Sequence, residues 1–204
     1  MEQRSTEWFA IRLGKVTASR IADVIAKTKT GYSASRANYL AQLVAERLTN
    51  TVQDSYSNAA MEWGTATEPL ARAAYEARTG ELVSEVGFCH HNKFMGEAGC
   101  SPDGFVGTNL IEIKCPNTAT HIDYLLAKDL PSKYKPQVHW QMACTGSEWC
   151  DFVSFDPRMP ERHQLMIVKV KRDDEYISML EKEVQKFLDE VKLTINKLET
   201  SNDR

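Results

Sequence analysis

Three ionisable residues in the middle of the chain could do chemistry together: Asp103, Glu112 and Lys114. Glu112 and Lys114 are two positions apart in an apolar run, so a β-strand would place both side chains on one face. A turn near Gly107 would bring Asp103 back to the same end of the sheet. Two carboxylates and an amine at one point suit a divalent metal at a phosphodiester, with the lysine near the attacking water or the developing charge. Alternating charges also mark the solvated face of an ordinary strand, so this pattern alone leaves both interpretations open.

A second polar group precedes the first helical pattern of the chain. Apolar positions in residues 21–25 have helical spacing, and Thr17 or Ser19 can serve as the N-cap of that helix. Arg12 lies just upstream. Free amides at a helix start, two hydroxyls and an arginine would form a site for a phosphate, although plain capping also explains the hydroxyls.

The elements that must position these residues include a helix around Glu68. Proline is favoured in the first turn of a helix, so Pro69 predicts a helix that begins with Thr65 or Thr67 as its cap. Gly80 would end that helix. In this arrangement Glu68 could simply complement the helix dipole or complete a capping box with Thr65.

The remaining pattern has helices first, then a three-strand meander, and then further helices and strands. An amphipathic helix is predicted over residues 40–48, and further helices over 121–130, 136–145 and 173–199. The predicted strands cover residues 82–90, 99–106, 110–115, 149–155 and 165–171, the first two forming a hairpin. The helix from Pro136 carries Gln137 and Gln141 one turn apart. The last helix has an apolar stripe that indicates core packing or a subunit contact rather than a cofactor site, with core packing favoured. This order predicts an α/β or α+β domain around one mixed sheet.

Length and composition bound the class of protein. A chain of 204 residues with 42% hydrophobic and 26% charged residues is expected to form a single domain over residues 1–204, with a core at about 8–172. No apolar run approaches the roughly 18–20 residues of a membrane span, and a signal peptide is lacking, so we expect a cytoplasmic protein. Five scattered cysteines are typical of buried reduced thiols. The net charge is −3, yet residues 1–60 carry a balance of +3, which fits one phosphate-gripping surface as well as a chance fluctuation.

Several short motifs occur in one order along residues 8–172. They are Arg12-Leu-Gly with Thr17-Ala-Ser19, Trp63-Gly with Glu68, Ser101-Pro-Asp103-Gly, Glu112-Ile-Lys114-Cys-Pro, Tyr134 with Gln137-Val, and Asp156-Pro-Arg-Met159. With these motifs the chain resembles the lambda-type (YqaJ) phage recombinase exonucleases, a branch of the restriction-endonuclease-like nucleases. The resemblance implies a restriction-endonuclease-like core, a central mixed β-sheet flanked by helices.

The resemblance also implies an activity. The expected enzyme is a Mg²⁺-dependent 5′→3′ exonuclease that acts on linear double-stranded DNA. It would release 5′-mononucleotides and leave a 3′ single-stranded overhang for phage recombination by strand annealing. Two Mg²⁺ ions are implied, with Mn²⁺ as a substitute. A ring-shaped homotrimer, a phage single-strand annealing protein as partner and the cytoplasm of a bacterial host are implied as well.

Residue roles follow from the same resemblance. Asp103 and Glu112 match the central metal ligands, with the Ile113 carbonyl as a further ligand. Glu68 matches the helix glutamate of a second metal, and Lys114 matches the catalytic lysine.

The remaining implied roles concern the substrate. Gln137 matches the glutamine that positions the lysine and the attacking water. The residues implied to bind the 5′-phosphate of the DNA end are Arg12, Thr17, Ser19 and Ser101. Those implied to contact DNA elsewhere are Met61, as a wedge at the terminal base pair, and Lys27 and Lys29, in a basic loop.

Two other functions remain as alternatives. A structure-specific or restriction-type endonuclease would use the same metal site, but it has no end to recognise and so no need of an anion pocket. A non-catalytic DNA-binding scaffold is the second alternative. It would be expected to have lost part of the set Glu68, Asp103, Glu112 and Lys114, all of which are present.

Overall fold

The computed structural model describes residues 3–53 and 59–201, which form both helices and strands. The helices are α1 (Thr6–Arg12), α2 (Ile21–Ile25), α3 (Ala34–Thr49), α4 (Ala59–Thr79), α5 (Thr118–Ala127), α6 (Lys135–Thr145) and α7 (Asp174–Ser201). The strands are β1 (Val16–Thr17), β2 (Lys27–Thr28), β3 (Gly31–Tyr32), β4 (Val83–Ser84), β5 (Cys89–His90), β6 (Ala98–Cys100), β7 (Gly104–Val106), β8 (Asn109–Lys114), β9 (Trp149–Phe155) and β10 (Leu165–Lys171). These elements confirm the predicted α/β (α+β) class.

A five-stranded sheet with the order β10-β9-β8-β7-β4 forms the centre of the fold. Its strands pair antiparallel except for β8 and β9, which are parallel, so the sheet is mixed as predicted. The central strand β8 is covered on both faces. Ile111 packs in one cluster with Tyr75 of α4, whereas Leu110 packs in another with Met142 of α6. Burial on both faces explains why Leu110, Ile111 and Ile113 of this strand are all apolar.

The predicted hairpin of residues 82–90 and 99–106 is divided between two sheets. β4 pairs with β7 in the central sheet, while β5 pairs with β6 in a three-stranded sheet completed by β1. Between β6 and β7 lies Pro102, which lacks an N–H and cannot continue a ladder. Gly99 and Gly104 flank it, and a Cβ at either would come within 2.4 Å of the neighbouring strand segment. The chain therefore crosses from one sheet to the other at residues 101–103.

Helix α4 begins earlier than the sequence predicts. It starts at Ala59, so Pro69 lies inside the helix, and the prediction of a cap at Thr65 or Thr67 is wrong. The hydroxyl of Thr65 instead donates to a carbonyl one turn earlier. Proline is tolerated there because the following turns bury Ala71 and Tyr75 against the sheet, and tertiary packing outweighs the lost backbone bond. The predicted end is confirmed, since Gly80 has a φ of +75°.

The long helix α7 packs on α2, α3 and α6, and its apolar stripe belongs to the core as predicted. The buried members are Ile177, Leu180, Val184, Phe187, Leu188 and Val191, with Ile195 packed beside them. Leu198, near the end of the helix, is 44% exposed.

The cysteines are free thiols, four of them buried, which confirms the prediction from their spacing. No helix in the described ranges is long and apolar enough to cross a membrane.

Candidate active site

Glu112 is the most enclosed member of the predicted site. Its side chain is 1% exposed and points from β8 toward α6. The Nε2 amide of Gln137 donates to Glu112 Oε1 at 2.5 Å, and that of Gln141 donates to Oε2 at 2.6 Å. The ammonium of Lys114 forms an ion pair with Oε1. Because residues four apart share one face of a helix, α6 presents both amides to the same carboxylate.

Asp103 joins this group from the crossing between the two sheets. Its Oδ2 accepts a hydrogen bond from the backbone N–H of Ile113 at 2.6 Å, which ties the crossing to β8. Burial and the Glu112 carboxylate raise the pKa of Asp103 well above its ordinary value. Burial alone would lower the pKa of Lys114, but the Glu112 and Asp103 carboxylates outweigh it and raise that pKa. The structure therefore brings Asp103, Glu112 and Lys114 together, and Lys114 is a firmly protonated cation.

Glu68 lies on α4 and contacts two arginines. Its carboxylate pairs with Arg4 at 3.3 Å and with Arg72 at 3.4 Å. It also contributes to the raised pKa of Asp103, which places it within electrostatic range of the other carboxylates. Across residues 3–53 and 59–201, no three His, Cys, Asp or Glu side chains are placed to hold one metal ion. Asp103 and Glu112 thus stand as a pair, and Glu68 is turned to its arginines.

The chemistry of this donor set fits a divalent cation. Carboxylate oxygens and a backbone carbonyl are the hard ligands that Mg²⁺ takes, and Asp103, Glu112 and the Ile113 carbonyl are of this kind. Two carboxylates face a single lysine, which leaves an excess negative charge in a poorly hydrated place. A cation would offset that charge. The raised pKa of Asp103 reflects the same excess of negative charge.

Arg12 forms the centre of a second cluster beside the carboxylates. Its Nη1 donates to Ser101 Oγ at 3.1 Å, the indole N–H of Trp8 donates to the same oxygen at 2.9 Å, and the guanidinium lies 4.0 Å from the Trp8 ring centre. Within the described ranges no carboxylate forms an ion pair with Arg12. Burial lowers the pKa of Arg12, which is the mark of a desolvated cation.

A cavity of about 160 Å³ lies beside Arg12 and reaches Gln137, the hydrogen-bond partner of Glu112. It is lined by Trp8, Arg12, Ala18, Ser19, Ser101 and Gln137. Three of the four predicted phosphate-binding residues therefore share one cavity with the predicted catalytic glutamine. The fourth, Thr17, is buried, and its N–H donates to the Tyr39 hydroxyl at 3.2 Å. It lines a larger adjoining cavity of about 910 Å³, as do Arg12 and Ser19.

The predicted capping of α2 is wrong. A 3-10 turn over Ala18–Arg20 precedes the helix, and neither Thr17 nor Arg20, the residues that open the turn and the helix, makes a side-chain capping bond. The helix itself has five residues, too few for a useful N-terminal dipole. The groups of this region that could bind an anion are the Arg12 and Ser101 side chains.

The predicted DNA-contact residues lie outside the carboxylate group. Met61 is 55% exposed in the first turn of α4 and lines the larger cavity. Lys27 and Lys29 belong to the exposed hairpin of β2 and β3, where Lys27 pairs with Glu183 at 3.5 Å. Neither lysine lines the two cavities.

Three residues of the site were not assigned from the sequence. Trp8 shares Ser101 with Arg12, and its spacing of four residues from Arg12 within α1 was the signal that could have found it. Gln141 bonds Glu112 and repeats Gln137 one turn later. Arg4 pairs with Glu68 from far along the chain, and no local pattern indicates that contact.

A mixed sheet that carries an Asp, a Glu and a Lys on adjoining segments, with flanking helices, is the arrangement of the restriction-endonuclease-like nucleases, and the fold belongs to this class. Residues 7–148 match the model of the YqaJ-like viral recombinase domain, and the chain belongs to that family. The resemblance inferred from the motifs is thereby confirmed. No curated protein matches the chain at a significant level.

Solved structures agree with this family. An alkaline exonuclease from Laribacter hongkongensis, LHK-Exo, is 49% identical over 98% of both chains, with a TM-score of 0.90. Its complex with dAMP gives 50% identity over 98% of both chains and a TM-score of 0.91. A phage-related exonuclease from Haemophilus somnus 129PT is 16% identical over 90% of this chain and 96% of the other, with a TM-score of 0.73, and shows a shared fold alone. The family and these neighbours support a nuclease function.

Proposed function

We propose that the chain is a Mg²⁺-dependent 5′→3′ exonuclease that acts on linear double-stranded DNA. It would release 5′-mononucleotides and leave a 3′ single-stranded overhang for phage recombination by strand annealing. The observation that carries this proposal is the cavity lined by Arg12, Ser19, Ser101 and Gln137. Its lining includes Gln137, which donates to Glu112, so Gln137 links the Arg12 cluster to the carboxylates, an arrangement that suits recognition of a phosphorylated end. The relative crystallised with dAMP binds a deoxynucleoside 5′-monophosphate, the class of product proposed here.

The residues that would bind metal are those whose oxygen atoms are available as ligands. Asp103, Glu112 and the Ile113 carbonyl would hold one divalent ion. Glu68 would release Arg4, its half-exposed partner at 3.3 Å, and hold a second ion in its place. Bound Mg²⁺ supplies charge neutralisation at the phosphodiester and a more acidic water, and Mn²⁺ can substitute for it.

Lys114 and Gln137 act on the reacting groups. The Lys114 ammonium pairs with Glu112, and it would stabilise the charge that develops on the phosphate oxygens or lower the pKa of the attacking water. Gln137 lies between the lysine's carboxylate partner and the cavity, so its amide can orient both Glu112 and the attacking water.

Selection of the DNA end falls to the Arg12 cluster. The Arg12 guanidinium and the hydroxyls of Ser19 and Ser101 would receive the 5′-phosphate, with Thr17 supporting this wall of the cavity. A charged group without a carboxylate partner gains most from an anionic ligand. Met61 would meet the terminal base pair from the larger cavity, and Lys27 and Lys29 would contact the duplex from their exposed hairpin.

The assembly and partner are further parts of this proposal. A ring-shaped homotrimer would enclose the duplex, and a phage single-strand annealing protein would receive the 3′ overhang in the cytoplasm of a bacterial host. Exposed apolar side chains such as Leu70, Leu82 and Leu126 provide surface for such contacts. Sedimentation of the purified chain with and without DNA would test the trimer.

The function is tested by digestion of one linear duplex labelled at either end. The duplex carries a 5′-phosphate or a 5′-hydroxyl, and each reaction is run with Mg²⁺ and with EDTA beside a covalently closed circle. We expect mononucleotides from the phosphorylated 5′ end, only with Mg²⁺ and never from the circle. Internal cuts or a digested circle would replace the proposal with an endonuclease. The absence of cleavage with any divalent metal would replace it with a non-catalytic DNA-binding scaffold.

A further inference from the structure

The Glu112 carboxylate is held from both sides by amides of one helix. Gln137 donates to Oε1 and Gln141 to Oε2, at 2.5 Å and 2.6 Å. Gln141 is fully buried, with no exposed surface, and it does not line either cavity near the site. It therefore cannot touch a substrate directly, and any contribution to catalysis must pass through Glu112.

The acceptor capacity of Glu112 is used unevenly. Each carboxylate oxygen offers two lone pairs. Oε1 accepts from Gln137 and contacts the Lys114 ammonium, so both of its positions are taken. Oε2 accepts from Gln141, which leaves one position on that oxygen. The oxygen with room for a cation is thus the one that Gln141 fixes.

Packing alone does not explain a glutamine at this position. The other side-chain atom of its amide, Oε1 of Gln141, is buried without a hydrogen-bond partner in the described part of the chain. Burying an unpaired carbonyl costs about 1–3 kcal/mol, which an apolar residue would avoid. The terminal torsion of a glutamate has a broad range of angles. Without Gln141, the Glu112 carboxylate could therefore rotate about its Cγ–Cδ bond.

We infer that Gln141 is a positioning residue that fixes Oε2 of Glu112 for a divalent cation, an inference that rests on the nuclease function proposed above. Groups that orient a metal ligand through a hydrogen bond change metal affinity when they are removed, typically by about 10- to 100-fold. The defect should lie in the binding of the ion and not in the binding of DNA, because Gln141 is fully buried and lines neither cavity. A sufficient concentration of Mg²⁺ should then restore the reaction.

The test compares Gln141→Met with the wild-type chain by calorimetric titration of Mg²⁺ without DNA. Methionine keeps the length of the side chain and removes the amide. We expect Mg²⁺ affinity to fall by about 10- to 100-fold, DNA affinity to change less than about twofold, and the rate to approach the wild-type rate at saturating Mg²⁺. Met142→Leu is the matched control, since it changes a fully buried neighbour on α6 without touching Glu112.

Two results would overturn the inference. One is an unchanged Mg²⁺ affinity in Gln141→Met, and the other is a rate defect that no Mg²⁺ concentration repairs. If Gln141→Met fails to fold, Gln141→Asn replaces it, because that amide is one methylene too short to keep the bond. A wild-type chain that binds Mg²⁺ but cleaves no DNA would refute the nuclease function while the affinity comparison still decides the role of Gln141. A wild-type chain that binds no Mg²⁺ would overturn both.

Discussion

Replacing Arg12 by glutamine should erase the preference for phosphorylated 5′ ends. The guanidinium meets Ser101 Oγ at 3.1 Å and the Trp8 ring at 4.0 Å, and it has no carboxylate partner in the described ranges, so its charge is available for an anion. A hydrogen bond to a charged group contributes about 1.5–3 kcal/mol. At 1.4 kcal/mol per factor of ten, the ratio of rates on phosphorylated and hydroxyl ends should fall by about 10- to 100-fold.

The fold should tolerate this change. Burial lowers the pKa of Arg12, so the protein surroundings disfavour its charge, and the cost of the change is confined to its contacts with Ser101 and Trp8. We expect the free energy of unfolding to change by less than about 1 kcal/mol in urea denaturation.

The assay measures initial rates on two duplexes that differ only in the 5′ group. Arg162→Gln is the control, since Arg162 is exposed and lies outside both cavities. An Arg12→Gln enzyme that keeps the wild-type ratio of the two rates would refute the pocket, even if both rates fell together.

Three further predictions follow from single contacts. Lys114→Ala or Asp103→Ala should reduce cleavage by about 10³-fold or more while DNA binding measured by fluorescence anisotropy survives, and normal turnover by either variant would contradict the assignment. Arg4→Ala should lower the Mg²⁺ concentration for half-maximal rate by about two- to fivefold, because the half-exposed Arg4 competes with the ion for Glu68 and such an ion pair contributes a factor of this size. An unaltered Mg²⁺ dependence would refute the competition between Arg4 and Mg²⁺. Burial opposes the charge of Asp156, but hydrogen bonds outweigh it and lower the pKa to about 2, so this carboxylate stabilises the fold above its ordinary pKa of 3.8 and loses that effect as pH falls toward 2. Asp156→Asn should therefore cost roughly 2 kcal/mol in urea unfolding at pH 7 and much less at pH 2, and an equal cost at both would argue against the ionised carboxylate as the cause.

Local sequence patterns predict correctly the elements whose apolar face packs against a single neighbouring layer. The strands at residues 149–155 and 165–171 have the predicted bounds, and the helix from Pro136 ends at Gly146, where φ is +76°. At the end of each of these elements, the residue that interrupts the apolar pattern also sets the backbone conformation. The apolar stripe of α7 was predictable for the same reason, because a period of 3.6 residues identifies the face that must be buried.

Two features depended on contacts distant in sequence. Pro69 is a good signal for a first turn, yet α4 extends ten residues before it, because burial of Ala71 and Tyr75 against the sheet outweighs the local preference. The stretch of residues 82–90 has a continuous strand pattern, and only the partner strands show that it is shared between two sheets. Pairing partners are decided by tertiary packing, which a period of two cannot report.

The same division between sheets explains how the candidate site is built. Ser101 and Asp103 stand on either side of Pro102 at the crossing, and two residues of chain span at most about 7 Å. Ser101 is held by Trp8 and Arg12 from α1, and Asp103 is held by the N–H of Ile113 in the central sheet. Because one side of the crossing is fixed to α1 and the other to the central sheet, the distance between the Arg12 cluster and the carboxylates cannot change without moving α1 or that sheet. Under the proposed function this fixed spacing sets where a phosphodiester lies when the terminal phosphate is bound, and it gives a physical reason for release of the strand in units of constant length.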